Sequence, residues 1–149
     1  MSATNAQPTT THARLALALA AMSSPKANKV NPAFRSRYAS LNVILDHIRP
    51  ILAKQGLALV QQIVTTEGRT EVINTIIGPE GMIDFKPAGV ATKPDTNVQQ
   101  FNSQCTTLRR ITAQAICGIA TDADDDGAAA SAQPAPAKKW IPNPARSDA

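Results

Sequence analysis

At Gly56 the chain changes its hydrophobic period. From about Ser40 to Gln55, Leu41, Ile44, Leu45, Ile48, Ile51 and Leu52 recur at helical spacing and form one stripe, with Gly56 placed as the C′ residue. From Leu57 the pattern turns to β: "LALVQQIVTT" and "RTEVINTII" are separated by Glu67-Gly68, and "GPEG" then leads into "MIDFKP". Three consecutive strands joined by tight turns predict an antiparallel meander. Pro50 lies inside the helical stripe and predicts either a kinked helix or two shorter helices meeting there.

On either side of this switch the organisation is simpler. Residues 1–10, "MSATNAQPTT", lack apolar periodicity and read as a loose leader. A short helix is expected from Thr11, with Leu15, Ala18, Leu19 and Met22 at helical spacing and Ser23-Ser24-Pro25 ending it. "KANKVNPAFRSRYAS" follows as an extended segment holding Lys26, Lys29, Arg35 and Arg37, the densest basic stretch in the chain. After the meander, Pro87 to Val98 reads as a loop, and a final helix is predicted over Asn102 to Ile119. One domain, residues 11–120, thus precedes a tail over 121–149 whose Ala/Asp/Pro composition predicts disorder from Asp122 to Ala137. In that tail "KKWIPNPAR" is a small island, and Trp140 reads either as a stray aromatic or as a docking motif for a partner protein or a neighbouring subunit.

Charge divides the chain in the same place. Residues 1–119 carry 12 Lys/Arg against 6 Asp/Glu, a balance of +6, while residues 120–149 carry 3 against 5, a balance of −2. A basic body points to a polyanion, either nucleic acid or an anionic membrane surface. Phe34, Tyr38, Phe85, Phe101 and Trp140 are the only aromatics, so base stacking is not the main device for holding a single strand. Cys105 and Cys117 lie on one predicted helix about 18 Å apart, too far to pair, and read as buried, reduced thiols of a cytoplasmic protein. The run "LALALAAM" is too short for a signal peptide in its context, and no segment has the ~20 apolar residues of a membrane span.

The final helix carries the chemistry. On a 100° wheel Cys105, Leu108, Thr112, Ala115, Ile116 and Ile119 form the core face, with Ile111 at its edge. Ser103, Thr106, Thr107, Arg110 and Gln114 fall on the opposite side, and Arg109 flanks the apolar stripe. Guanidinium forks and hydroxyls suit phosphate oxygens and read no particular base; the plainer reading is a solvated helix face. Asp122, Asp124, Asp125 and Asp126 with Gly127 imitate the start of a calcium loop, but position twelve is Gln133 and no exiting helix follows. Mg²⁺, a basic patch on the next subunit, or solubility remain as reasons for them. Neither His12 nor His47 neighbours a nucleophile, and no Walker-type loop appears, so neither an enzyme nor an ATP cofactor is expected.

Several ordered blocks together resemble the Erf family of bacteriophage single-strand annealing proteins. They are Asn31, Pro32, Phe34 and Tyr38; Pro50, Leu52, Gly56 and Leu57; the Arg109-Arg110 pair; and Gly118-Ile119 before the aspartates. Of the family's usual last-helix pattern, Gly-Ser-Ala-x-Thr-Tyr-Ala-Arg-Arg-Tyr, the chain keeps Ser103, Thr106, Arg109 and Arg110. It has Asn102, Gln104, Thr107, Leu108 and Ile111 at the departing positions. The resemblance implies ATP-independent coating and annealing of single-stranded DNA by a ring or filament in the host cytoplasm. It also implies an α+β fold: an antiparallel meander packed on the long C-terminal helix, preceded by N-terminal helices, like the wider annealing superfamily. The expected DNA contacts are Lys29, Arg35, Arg37, Tyr38, Ser103, Thr106, Arg109, Arg110 and Gln114. A homo-oligomer is expected to pair through the strand edge of "TEVINTII". The rival readings are a single-strand-binding protein of the OB class, an assembly protein with a basic arm, and a metal nuclease.

Overall fold

The computed structural model describes residues 8–121. The expectations for Asp122–Asp126, for the Lys138-Lys139-Trp140 island and for most of the leader lie outside the described residues. In chain order the elements are α1 (Thr11–Ala20), β1 (Lys29–Val30), β2 (Arg37–Tyr38), α2 (Leu41–Lys54), β3 (Ala58–Thr66), β4 (Arg69–Gly78), β5 (Gly81–Asp84), β6 (Ala88–Ala91) and α3 (Val98–Cys117). The fold is α+β, as the resemblance implied.

Thr10 opens α1 by accepting the Ala13 N–H on its hydroxyl at 3.1 Å, which satisfies one of the donors a helix start leaves unpaired. The helix is tied across the molecule at two points. Arg14 Nη1 donates to the Gln55 carbonyl at 3.0 Å, placing a cation at the C-terminal end of α2 where the helix dipole favours it. The Thr11 hydroxyl donates to the Gly81 carbonyl at 3.3 Å.

In α2 the apolar stripe is the buried face: Leu41, Ile44, Leu45, Ile48 and Leu52 are all buried. Ile44 and Ile48 are fully so, each contributing roughly 1.5–3 kcal/mol by leaving water. The helix runs through Pro50 as one element. Pro50 and Asp46 are both exposed, so the Asp46 carbonyl that proline leaves without a donor lies on the solvent side.

The sheet corrects two expectations. β3 pairs antiparallel with β4 from Ala58↔Ile77 to Thr66↔Arg69, and β5 pairs with β4 from Thr75↔Asp84 to Gly78↔Gly81, as the meander required. The segment read as a loop from Pro87, however, contributes β6, which pairs with the other half of β4 from Arg69↔Ala91 to Val72↔Ala88. Strand β4 is therefore central, with β3 on one edge and β5 and β6 sharing the other, and its edge is closed to a neighbouring subunit. Among the described residues, the unpaired edges are those of β3 on one side and of β5 and β6 on the other. Along β4, Thr70, Val72, Asn74 and Ile76 are buried and alternate with more exposed residues, so one face of the sheet packs on the helices.

Helix α3 begins at Val98, earlier than the predicted Asn102, because Asn97 and Gln100 form a capping box. The Asn97 side chain accepts the Gln100 N–H at 2.8 Å, and the Gln100 side chain accepts the Asn97 N–H at 3.0 Å. The helix is covered on two sides, by α2 and by β4, and its buried set is Cys105, Leu108, Thr112, Ala113, Gln114 and Cys117. Ala115, expected in the core, is exposed. One hydrophobic cluster joins α2 to α3 through Ile44, Leu45, Ile48, Ala113 and Cys117; a second joins α1, α2 and the sheet through Ala18, Leu52, Leu57 and Ile76. Met22 and Leu59 pack against both.

Two consequences are measurable. A Cβ on Gly89 would stand 2.4 Å from the Thr70 carbonyl oxygen, which is backbone and cannot move aside. Gly89→Ala is expected to lower stability by about 1–3 kcal/mol in urea unfolding. Cys117 is 3 % exposed, and burial pushes its thiol from 9.0 up to about 11. Above pH 9 the unfolded chain loses this proton while the folded chain keeps it, so stability is present below pH 9 and falls as pH rises toward about 11. Cys117→Ala should flatten that part of the pH–stability curve.

Candidate nucleic-acid interface

The basic segment before α2 is folded back on itself. Lys29↔Tyr38 and Val30↔Arg37 make β1 and β2 a small antiparallel ribbon. Asn28 pins it to the start of α2, its Oδ1 accepting the Ser40 N–H at 2.8 Å and its Nδ2 donating to the Ser40 hydroxyl at 3.1 Å. The loop between the strands is closed by the Asn31 N–H to the Ser36 carbonyl at 2.8 Å, and the Asn31 Oδ1 accepts the Ala33 N–H at 3.0 Å. Arg35 there has φ 55°, a left-handed conformation uncommon outside glycine.

Between this ribbon and the N-terminal half of α3 lies a groove of about 700 Å³. The ribbon side supplies Lys29, Asn31, Pro32, Ser36 and Tyr38, and α3 supplies Asn102, Ser103, Thr106, Thr107 and Arg110. Among the described residues, no carboxylate lines it. The guanidinium carbon of Arg110 stands 4.5 Å from the Tyr38 ring centroid, a cation–π contact that joins the two walls. Two cations, three hydroxyl residues on the helix wall and two side-chain amides therefore converge, the donor chemistry that phosphate oxygens take up.

Of the expected contacts, Lys29, Tyr38, Ser103, Thr106 and Arg110 come together in this groove. Arg37 alternates to the other side of the two-residue strand from Tyr38, and both it and Arg35 are exposed on the ribbon away from the lining. Arg109 turns to the sheet, donating from Nε to Gln61 Oε1 at 3.2 Å. Gln114 is 8 % exposed and donates to the Thr121 hydroxyl, so it does not face the groove. The wheel placed it with the polar face because a wheel allows for one covered side, and α3 has two.

What sequence reasoning missed is Gln61. From β3 its Nε2 donates to Asn74 Oδ1 at 2.9 Å and to the Arg109 carbonyl at 2.9 Å, while Thr112 on α3 donates to Asn74 Oδ1 at 3.4 Å and to the Leu108 carbonyl at 2.8 Å. The signal was present in "VQQI": adjacent glutamines break the strand's alternation, so one of them must point inward. Groove residues Asn31 and Asn102 carried no comparable signal.

Among the described residues, no three His, Cys, Asp or Glu side chains cluster as metal ligands, and no helix is long and apolar enough to cross a membrane. An α+β scaffold with a cationic groove between a β-ribbon and a helix is the class that fold and site define. The chain belongs to the ERF superfamily, which it matches over residues 13–149, and the resemblance read from the sequence is borne out at the level of family. No curated protein and no solved structure matches it.

The amide cluster that seats α3 gives a direct test. Asn74 is 2 % exposed, so Asn74→Ala removes the acceptor that both Gln61 and Thr112 use in a dry site. The expected loss is about 1–3 kcal/mol in chemical denaturation.

Proposed function

We propose that this protein binds single-stranded DNA by its sugar-phosphate backbone and anneals complementary strands without ATP, as an oligomer acting in phage recombination. Membership of the ERF superfamily supports the annealing role. The observation that carries the site is the groove in which Lys29 and Arg110 meet a wall of hydroxyls and amides with no carboxylate among the described residues. Such donors neutralise and orient phosphates while leaving base edges to a second strand. Arg35 and Arg37 on the ribbon extend the cationic surface beyond the groove, and Arg109 stands beside it on α3. With about four phosphates neutralised per subunit, the logarithmic salt slope should be roughly −3, at ~0.7 per single-strand contact.

Subunits are proposed to meet through the sheet. Strand β3 offers its outer edge, and the sheet face away from the helices exposes Val60, Ile77 and Met82. The ring or filament state and any host partner of the Trp140 island are part of this proposal.

The deciding experiment is annealing of two complementary labelled oligonucleotides with the full chain, Mg²⁺ and no ATP. Protein-dependent acceleration is expected, and Arg109→Ala with Arg110→Ala should abolish it while the oligomer persists. The single variants should separate: Arg110→Ala should remove most of the affinity and reduce the salt slope by about 0.7, and Arg109→Ala should matter less because its side chain is engaged by Gln61. Unchanged affinity in the double variant refutes the site; tight binding without acceleration refutes annealing and leaves a DNA-coating protein.

A further inference from the structure

Phe34 is 72 % exposed at the tip of the loop joining β1 and β2, where burial would otherwise be expected of a phenyl ring. The other described rings are engaged or shielded. Phe85 packs against the core, Phe101 is partly buried, and Tyr38 has a face covered by Arg110. Phe34 therefore is the ring that the described fold leaves open to solvent.

The loop holds it there. Pro32 fixes one backbone angle, the Asn31 side chain and the Asn31–Ser36 backbone hydrogen bond close the turn, and Arg35 adopts its left-handed conformation immediately after the ring. A non-glycine residue in that region persists where the surrounding structure enforces it, and such positions concentrate at ligand clamps. The exposure of Phe34 is thus built into an ordered turn.

Its surroundings select the ligand. Pro32 and Ser36, two residues to either side, line the groove, so the Phe34 backbone is within about 7 Å of each. Lys29, Arg35 and Arg37 stand on the same ribbon, and the ion pair found among the described residues, Arg69 with Glu71, is elsewhere. A ring among cations suits a ligand that offers a flat apolar face and phosphates together, which a single-stranded nucleic acid does and an apolar protein surface does not.

We propose that Phe34 is a stacking residue that receives one unpaired nucleobase at the rim of the groove. This rests on the backbone-binding reading above and adds a base contact to it. Because every base has a π-face, the contact is sequence-tolerant.

The test uses the full chain and two labelled oligonucleotides of equal length, oligo-dT and the same backbone with abasic sites. Wild type should bind oligo-dT more tightly than the abasic strand. Phe34→Ala should weaken oligo-dT binding about tenfold, leave abasic binding unchanged, and leave the melting temperature and oligomer mass unchanged; Phe34→Trp should restore oligo-dT affinity. Equal weakening on both strands, no weakening on either, or loss of the oligomer in Phe34→Ala overturns the proposal, the last by making Phe34 a subunit contact. Failure of wild type to bind either strand in low salt overturns the backbone-binding reading itself and this proposal with it.

Discussion

Asn74 sits at the centre of β4 with 2 % of its surface exposed, and an amide taken that far from water has to find its hydrogen bonds inside the protein. It finds them in Gln61 on β3 and Thr112 on α3. Gln61 also reaches the Arg109 carbonyl, and Thr112 bonds back to Leu108, so three elements are locked at one height along the helix. With Thr112 turned to the sheet, the helical rotation of about 100° per residue puts Arg110 about 200° away, on the opposite side. Arg109 falls about 60° from Thr112 on the near side, beside the Gln61 that receives it. The twin arginine is thereby split into one side chain turned to the sheet and one turned to the groove. A purely apolar contact would hold α3 on the sheet with less control over its rotation, since apolar packing is not directional.

The groove depends on that rotation as much as on its own wall. Two residues per strand do not make a ribbon that stands alone in water. The ribbon is held at its base by Asn28 on Ser40 and across the groove by Tyr38 under Arg110. Ser40 is the N-cap of α2, whose apolar stripe packs on α3, so both walls trace back to the same helix pair. Arg110 consequently shapes the groove through its contact with Tyr38 and supplies charge to it. Its loss removes both, which is why its neighbour Arg109, engaged by Gln61 on the sheet side, is the informative comparison.

Legibility in the sequence followed the strength of local signals. The stripe in α2, the glycine after it and the three strands from Ala58 to Asp84 were readable because period and turn residues agreed over long runs. Strand β6 was not, since "AGVA" lies between Pro87 and Pro94, has one β-branched residue, and owes its pairing to the free half of β4. The start of α3 was hidden in "NVQQ", where a capping box and not apolar spacing sets the boundary. Gln114 was misplaced because packing on two sides widens the buried arc beyond what one stripe can show. The basic segment reads as extended, and the structure instead folds it back into the β1–β2 ribbon; that pairing had no local signal because it is held by Asn28 on Ser40 at the two ends of the segment and by Arg110 far along the chain.

Annealing sets two demands that pull against each other. A strand has to be held firmly enough to be straightened, yet its Watson–Crick edges must stay available to a partner. A platform of several aromatic rings meets the first demand by fixing base after base, and each contact must then be broken or bypassed as the second strand zips. Gripping phosphates avoids that competition, because backbone contacts carry no base edge with them. The proposed function takes the second course: hydroxyls, amides, Lys29 and Arg110 line the groove, with the Tyr38 ring held against Arg110, while Phe34 stands exposed at its rim. On that proposal, one exposed ring would interrupt the stack of a bound strand without immobilising the bases on either side of it, so that hold and release would fall to different residues of the same ribbon and helix.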